Sequence, residues 1–396
     1  VSNETGCKVV SMKDIAIGNL EYGSGASAIE YDNKTRYVRI TDIAESGKLN
    51  DKAVSPSIIE NKYELKEGDL LFARSGATVG KTYLYNQTDG CCIYAGYLIR
   101  LVPNQKVIFP KYLYYFTKSS DYKLFVENNM RVVAQPNINA KQYGNLTIPL
   151  PPLEEQRRIA DALDLASSLI EKRKKQIELL DTLAKSLFIE MFGDPVTNPM
   201  GWDICTINTV IDSLIAGWSI NGEQRKLKEG EKAVLKVSAV TQGYFNENEY
   251  KVIDQKQKIK KYIYPQKGDL LFSRANTREM VGATCLIFKD YPDLILPDKL
   301  WKIRFVSSAN MVYMKYVLSH QSIRNQLSNQ STGSSGSMYN VSMKKLKEII
   351  IPLPPISLQT KFAEFVKSLE NQKFLLQNGL EKLEMNYNAL MQKYFL

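Results

Sequence analysis

Gly76-Ala77-Thr78-Val79-Gly80-Lys81-Thr82 comes nearer to a catalytic motif than any other stretch of this chain. A phosphate-binding P-loop has four residues between its glycines, enough for backbone N–H groups to wrap a phosphate that the lysine then reaches. Here only three intervene, and a second copy of the stretch, Val281-Gly282-Ala283-Thr284, has no lysine. A glycine-bearing hairpin is the expectation, with Lys81 either on its surface or against a nucleic-acid phosphate. An NTPase would instead bind nucleotide through Lys81. The single histidine, His320, removes most histidine-based chemistry, His-rich metal sites included. Five cysteines (Cys7, Cys91, Cys92, Cys205, Cys285) form no C-x-x-C, so neither a disulfide framework nor a thiolate zinc site is indicated. No G-x-G-x-x-G follows a strand-like run, and no [DN]-P-P-[YFW] signature of an adenine methyltransferase occurs. Asp69 and Asp269 follow glycines and precede apolar runs, where a Gly-Asp turn is the simpler account. Together these point to a chain that binds.

A length of 396 residues accommodates two or more cores, and 44% hydrophobic with 24% charged residues is the composition of a folded protein. No apolar run approaches a membrane span and no signal-peptide pattern opens the sequence, so a cytoplasmic, membrane-free protein is expected. The net charge is +10, unevenly spread. Residues 1–152 carry 18 Lys/Arg against 15 Asp/Glu and residues 194–355 carry 22 against 15, whereas the remaining segments are close to neutral. Such an excess suits an acidic polymer, most simply nucleic acid, or else a lysine-rich solubilising surface.

The chain repeats itself once. Gly68-Asp69-Leu70-Leu71-Phe72-Ala73-Arg74 returns as Gly268-Asp269-Leu270-Leu271-Phe272-Ser273-Arg274, and Ile148-Pro149-Leu150-Pro151-Pro152 returns as Ile351-Pro352-Leu353-Pro354-Pro355. Tyr37–Thr41 has a looser echo in Val234–Ser238. Before each proline run, stretches at 36–43, 69–73, 91–101 and 233–240 are rich in β-branched and aromatic residues, with helical patterns near 110–128 and 311–328. After each run the pattern becomes a heptad seam: Ile159, Leu163, Ala166, Ile170, Arg173, Ile177, Leu180, Ala184, Leu187 and Met191, then Phe362, Val366, Leu369, Lys373, Leu376, Leu380, Leu383, Tyr387, Leu390 and Tyr394. Gly193-Asp194-Pro195 should end the first helix. Isolated, each stripe would lie exposed, and pairing with the other covers it. The expected fold class is α+β: two pseudo-repeated globular domains, 1–152 and 194–355, separated by two long helices, 153–193 and 356–396. Parallel and antiparallel pairing are both open sterically; the duplication favours an antiparallel coiled coil. Arg173 and Lys373 interrupt the seam, and the simplest expectation is that their stems pack while their charges reach water.

Two α+β units, each closed by an I-P-L-P-P run and a long heptad helix, resemble the specificity (S, or HsdS) subunit of type I restriction-modification enzymes. The resemblance spans essentially the whole chain and rests on the paired Gly-Asp-Leu-Leu-Phe-x-Arg stretches, Asn137-Ile138 and Asn340-Val341, the proline runs with Gln156 and Gln359, and Met191-Phe192-Gly193-Asp194-Pro195. The second half opens on Gly201-Trp202 where the first has Gly6-Cys7, a departure from the pattern. The resemblance implies two target-recognition domains, each reading half of a bipartite sequence in double-stranded DNA. It implies helices that act as spacer and dock two methyltransferase (M) subunits, which bind S-adenosylmethionine and methylate adenine. Restriction (R) subunits, using ATP and Mg, would join through them. No cofactor is expected in this chain. A nuclease-free methyltransferase complex, or a coiled-coil adaptor that does not bind DNA, are the other readings.

If the two domains read different half-sites, residues shared between them are scaffold or phosphate contacts and base readers lie where they diverge. Arg74/Arg274 and Lys141/Lys344 are then backbone contacts or structural pairs, and Asn137/Asn340 turn or cap residues. The divergent loops are 73–80 against 273–281, 86–97 against 288–299, and 128–137 against 325–340. Within them Arg131, Gln135, Asn276 and Arg278 have side chains suited to bidentate contact with base edges. Ser334, Ser335 and Tyr339 lie in a Gly/Ser-rich loop that could order on DNA. The DNA-contact candidates are thus these seven with Arg74, Lys81, Lys141, Arg274 and Lys344.

Overall fold

Phe72 and Phe272 occupy matching places in two copies of one four-stranded antiparallel sheet. The computed structural model describes residues 8–130, 137–254, 257, 261–329 and 339–395. It divides into a first unit, Val1–Lys174 with Asn378–Leu396, and a second, Lys175–Gln377. In the first unit the sheet runs Glu21–Tyr22, Leu98–Leu101, Leu70–Ala73, Thr82–Leu84. In the second it runs Ile211–Ala216, Leu300–Phe305, Leu270–Ser273, Thr284–Leu286, with the same neighbours. Leu71 pairs with Arg100 and Leu271 with Lys302, so the register is kept as well.

The repeated Leu-Leu-Phe follows from burial on both faces of this strand. Side chains alternate sides along a strand, so a strand covered on both sides reads as a continuous apolar run. Leu70 and Phe72 face a core shared with helices Pro110–Phe116 and Ser120–Met130, while Leu71 and Ala73 face a smaller core with Val38, Tyr83 and Tyr94. In the second unit Leu270 and Phe272 join the helical core and Leu271 the other. Each unit also has a parallel pair beside the sheet, Thr35–Val38 with Cys91–Tyr94 and Ala233–Leu235 with Leu294–Ile295. The strand-like stretch 91–101 is two strands with a turn between, and 36–43 becomes a turn after Val38.

The proline runs begin as edge strands, Thr147–Leu150 and Ile350–Pro352, where the missing N–H of proline is tolerated. The long helices then follow as Leu153–Phe192 and Ile356–Phe395. Gly193 stops the first with φ of +75°, and a Cβ there would sit 2.5 Å from Pro199. In each unit the two helices run antiparallel. In the first, Ile159 and Leu163 share a core with Met391 and Phe395, and Lys174 pairs with Glu384 at 2.8 Å. In the second, Phe188 and Phe192 pack on Phe362 with ring centroids 5.7 and 5.5 Å apart. So each globular core takes one end of both helices.

Gln156 and Gln359, noted in the sequence only as part of the proline pattern, turn out to be fully buried connectors. The Gln156 amide accepts from Phe109 N–H at 2.7 Å and donates to the Val107 and Pro151 carbonyls at 3.0 and 2.8 Å. Gln359 repeats this with Asn310 N–H and the Ser308 and Pro354 carbonyls. Three backbone groups with no other described partner for their polar atoms depend on one amide in each unit. Gln156→Leu should therefore destabilise the first unit by about 2–4 kcal/mol, read from equilibrium denaturation, because the buried backbone groups lose partners. A loss below about 0.5 kcal/mol would mean water replaces the amide there.

Of the two seam charges, Lys373 departs from the expectation by meeting an acid. Lys373 is 14% exposed and donates to both carboxylate oxygens of Asp181 on the other helix, at 2.7 and 2.9 Å. Arg173 lies against Gly379, whose missing side chain makes room for the guanidinium. Period counting finds the seam positions but not which acid or glycine stands opposite.

Candidate nucleic-acid interface

One end of each four-stranded sheet brings together two loops that are far apart in sequence. In the first unit the chain leaves Leu70–Ala73 at Arg74 and Ser75, and Ser75 bridges to Asn137. Arg74 is held on every side: its backbone N–H donates to Tyr97 and its carbonyl accepts from Ile138, while Nε donates to Asn137 at 3.3 Å. The guanidinium also lies 4.6 Å from the centre of the Tyr22 ring, a cation–π distance. In the second unit Arg274 makes the same backbone bonds, to Lys299 and from Val341. Its side chain, however, grips Asp298, with Nε on the backbone carbonyl at 2.9 Å and Nη2 on the carboxylate at 3.1 Å. Both arginines thus have protein partners, and the partners differ.

Asn137 and Asn340 are neither turn nor cap residues. Asn137 sits in the bridge to Ser75, and Asn340 pairs with Ala275 in a short ladder that also joins Asn276 to Tyr339. The caps come two residues later, where Asn139 accepts from Gln142 N–H and Ser342 accepts from Lys345 N–H. Lys141 and Lys344 follow these caps on the short helices Ala140–Asn145 and Met343–Lys347 and both are exposed, Lys344 with Glu348 at 3.8 Å. The second unit therefore pairs Asn276 with Tyr339 in one ladder, with Arg278 two residues beyond Asn276 and Lys344 four beyond Asn340. Arg278 is exposed, the Asn276 side chain accepts from Thr277 N–H, and Tyr339 is half-buried. Arg131, Gln135, Ser334 and Ser335 lie outside the described residues, as does Cys7.

The Gly76–Thr82 segment is a hairpin turn between Leu70–Ala73 and Thr82–Leu84. Gly80 takes a φ of +84° and packs against Val126, while its counterpart Gly282 has +79°. Lys81 is not free on the surface: it pairs with Glu45 at 2.7 Å and donates to the Ile43 carbonyl at 3.4 Å. Tyr122 braces the hairpin through its hydroxyl, which donates to the Gly80 carbonyl at 3.0 Å. Arg324, in the equivalent place, donates to the carbonyls of Glu279 and Val281, and its burial lowers the guanidinium pKa. Asp69 and Asp269 do form turns, accepting from Lys66 and Gln266 N–H, but both are also buried acids. Burial pushes the Asp69 carboxyl up. Asp269 is met by Lys302 at 2.8 Å and Arg304 at 2.7 Å.

Two aromatic residues at this end went unnoticed in the sequence. Tyr97 is 62% exposed beside Arg74, and Tyr22 accepts a hydrogen bond from Ala140 N–H while stacking on Arg74. Tyr97 does fall in a divergent loop, so an aromatic among basic neighbours was the available signal. Among the described residues, no three His, Cys, Asp or Glu side chains are gathered to hold a metal ion, and no helix is long and apolar enough to cross a membrane.

The family described as the type I restriction modification DNA specificity domain matches residues 6–179 and, a second time, 199–385. The chain belongs to that family. DNA target recognition is the function this membership carries, delivered by two domain copies in one chain. The specificity subunit of the type I restriction enzyme EcoKI of Escherichia coli K12 is 27% identical over 90% of this chain and 79% of its own length. A putative specificity subunit, MjaX, of Methanocaldococcus jannaschii is 27% identical over 83% of this chain and 78% of its own. In fold, the chain is similar to the crystal structure of the type I restriction-modification S subunit from M. genitalium. The TM-score is 0.59 at 15% identity, over 100% of this chain and 98% of that one.

Proposed function

We propose that this chain is the DNA-reading subunit of a type I restriction-modification complex, in which each unit reads one half of a bipartite, asymmetric target. The observation that carries this reading is the loop junction at the sheet end. It is built from the same backbone bonds in both units, around Arg74 and Arg274, yet offers different side chains outward. A shared scaffold with divergent exposed residues is what two readers of different sequences need. The contact residues in this reading are Arg74, Lys81, Arg131, Gln135, Lys141, Arg274, Asn276, Arg278, Ser334, Ser335, Tyr339 and Lys344. Arg278 and Asn276 are the favoured base readers of the second half-site.

The long helices serve as spacer and as dock for two M subunits, with R subunits joining through them. The docking part is supported by apolar residues that the seam does not cover: Leu165, Leu169 and Met385 in the first unit, Leu179, Leu183, Phe374 and Leu375 in the second. Adenine methylation with S-adenosylmethionine, and ATP- and Mg-dependent restriction, belong to those partners in the cytoplasm, and this chain contributes sequence choice.

Arg278→Ala tests the assignment. Methylated adenines mapped in DNA from cells holding the variant and its M partner should show one or more bases of a single half-site no longer specified. The affinity cost for the intact target should be about 1–3 kcal/mol. A uniform fall across all sequences would move Arg278 to the phosphate contacts.

A further inference from the structure

Both units have a cleft in the same place, and each holds a half-buried lysine with no carboxylate within ion-pair distance among the described residues. The first unit's cleft has a volume of about 310 Å³ and the second unit's about 490 Å³. Ala44-Glu45 lines the first where Thr241-Gln242 lines the second, and Thr117-Lys118 is answered by Ser319-His320. One wall matches: Thr117 lines the first cleft and shares a hydroxyl hydrogen bond of 2.7 Å with Thr82 behind it, and Ser319 shares one with Thr284 in the second, whose other side is formed by Asp181, Phe188 and Glu370 of the long helices. The lysines come from different positions of the matching helical segments, Lys118 after the first helix and Lys315 within Met311–Ser319.

Lys118 donates to the Thr82 hydroxyl at 3.1 Å and stands 4.7 Å from the Tyr114 ring centre. The nearby Glu45 is engaged by Lys81. Lys315 lies 4.5 Å from the Tyr316 ring centre, and the nearby Asp181 is engaged by Lys373. Among the described residues neither ammonium has a carboxylate within ion-pair distance, although Glu45 and Glu127 line the first cleft and Asp181 and Glu370 the second, and Glu45 and Glu370 favour the charged lysines from farther off. Burial depresses both, Lys118 to about 8. A methionine would fill the same space without that desolvation, so a charge kept here disfavours the isolated fold unless an anion completes it.

We propose that each cleft seats one oxyanion, a backbone phosphate of bound duplex DNA, with Lys118 its ligand in the first unit and Lys315 in the second. This rests on the DNA-reading assignment above. The cleft shares a wall with the reading loop in each unit: Ala77, Val79 and Gly80 line the first, and the second holds Arg324, which braces 279–281. A phosphate held there would fix the loop's distance from the duplex without carrying sequence information.

The test compares the full chain, assembled with its M partner, with Lys118→Met and Lys315→Met on duplex bearing the mapped target. Each substitution should raise the melting temperature while lowering the slope of log affinity against log salt by about 0.9, with the methylated sequence unchanged. A single methylphosphonate that weakens binding to the wild type should have no further effect on the matching variant. Lys118→Gln and Lys315→Gln give the same comparison if a methionine does not fold. Unchanged slopes overturn the proposal, as does a fall in melting temperature with unchanged slopes, the mark of a structural lysine. Inorganic phosphate that stabilises the wild type, with DNA slopes unaffected by either variant, would assign the clefts to a free anion instead and overturn it too. So would variants that keep DNA affinity but lose the M partner, since the oxyanion would then be a protein carboxylate. A wild-type complex with no salt-dependent duplex binding would defeat the DNA-reading assignment itself, and this proposal with it.

Discussion

Phe395→Ala is expected to destabilise the first unit by about 3–5 kcal/mol, although the residue lies in that unit's second segment, 221 positions beyond Lys174 where the first segment ends. Phe395 is 3% exposed, 5.2 Å from the ring centre of Tyr112 and 6.0 Å from that of Phe116. It belongs to the same core as Ile159, Leu163 and Met391. Truncating a phenyl ring there removes its burial and leaves a cavity between two helices that cannot close over it. The chain offers a clean readout, because Trp202, Trp218 and Trp301 all lie in the second unit. The tryptophan fluorescence transition should stay where it is, while the far-ultraviolet circular dichroism transition gains an earlier phase. Phe188→Ala should do the reverse, since Phe188 shares a core with Trp301. If Phe395→Ala moves the tryptophan transition as much as the dichroism, the two cores unfold as one and this account of separate units fails.

Adding one heptad to both long helices should change the gap between the half-sites without changing either half. The places to add it are after Lys174 and after Gln377, where the two units divide, so that every packing contact within each is kept. Seven residues lengthen a helix by about 10.5 Å, equal to about three base pairs of duplex. Each added base pair also rotates the second half-site by about 35°, so a gap longer by one to three base pairs is expected. The readout is the map of methylated adenines in cells with the variant and its M partner. An unchanged gap would refute the spacer role. A heptad in one helix alone should instead cost stability, because Lys373 opposite Asp181 and Phe362 against Phe188 cannot hold register together with Lys174 opposite Glu384.

Local patterns were legible in the sequence, and the reason is that their causes are local. A strand buried on both faces has to read Leu-Leu-Phe, a heptad seam has to repeat at three and four, and a left-handed helix stop has to be Gly193. Because the whole unit is duplicated, the strand and the seam appeared twice, and the second copy of the near-P-loop, which has no lysine, exposed it as a hairpin. Tertiary structure decided the partners. That Lys373 meets Asp181, that Arg74 stacks on Tyr22 while Arg274 grips Asp298, and that Gln156 answers three backbone groups all depend on which strands and helices become neighbours. Hydrogen bonds and ion pairs act over about 3 Å in space, at any separation in sequence, and no period along the chain encodes that distance. For the same reason the two clefts with their unmatched lysines became visible only once the fold had closed around them.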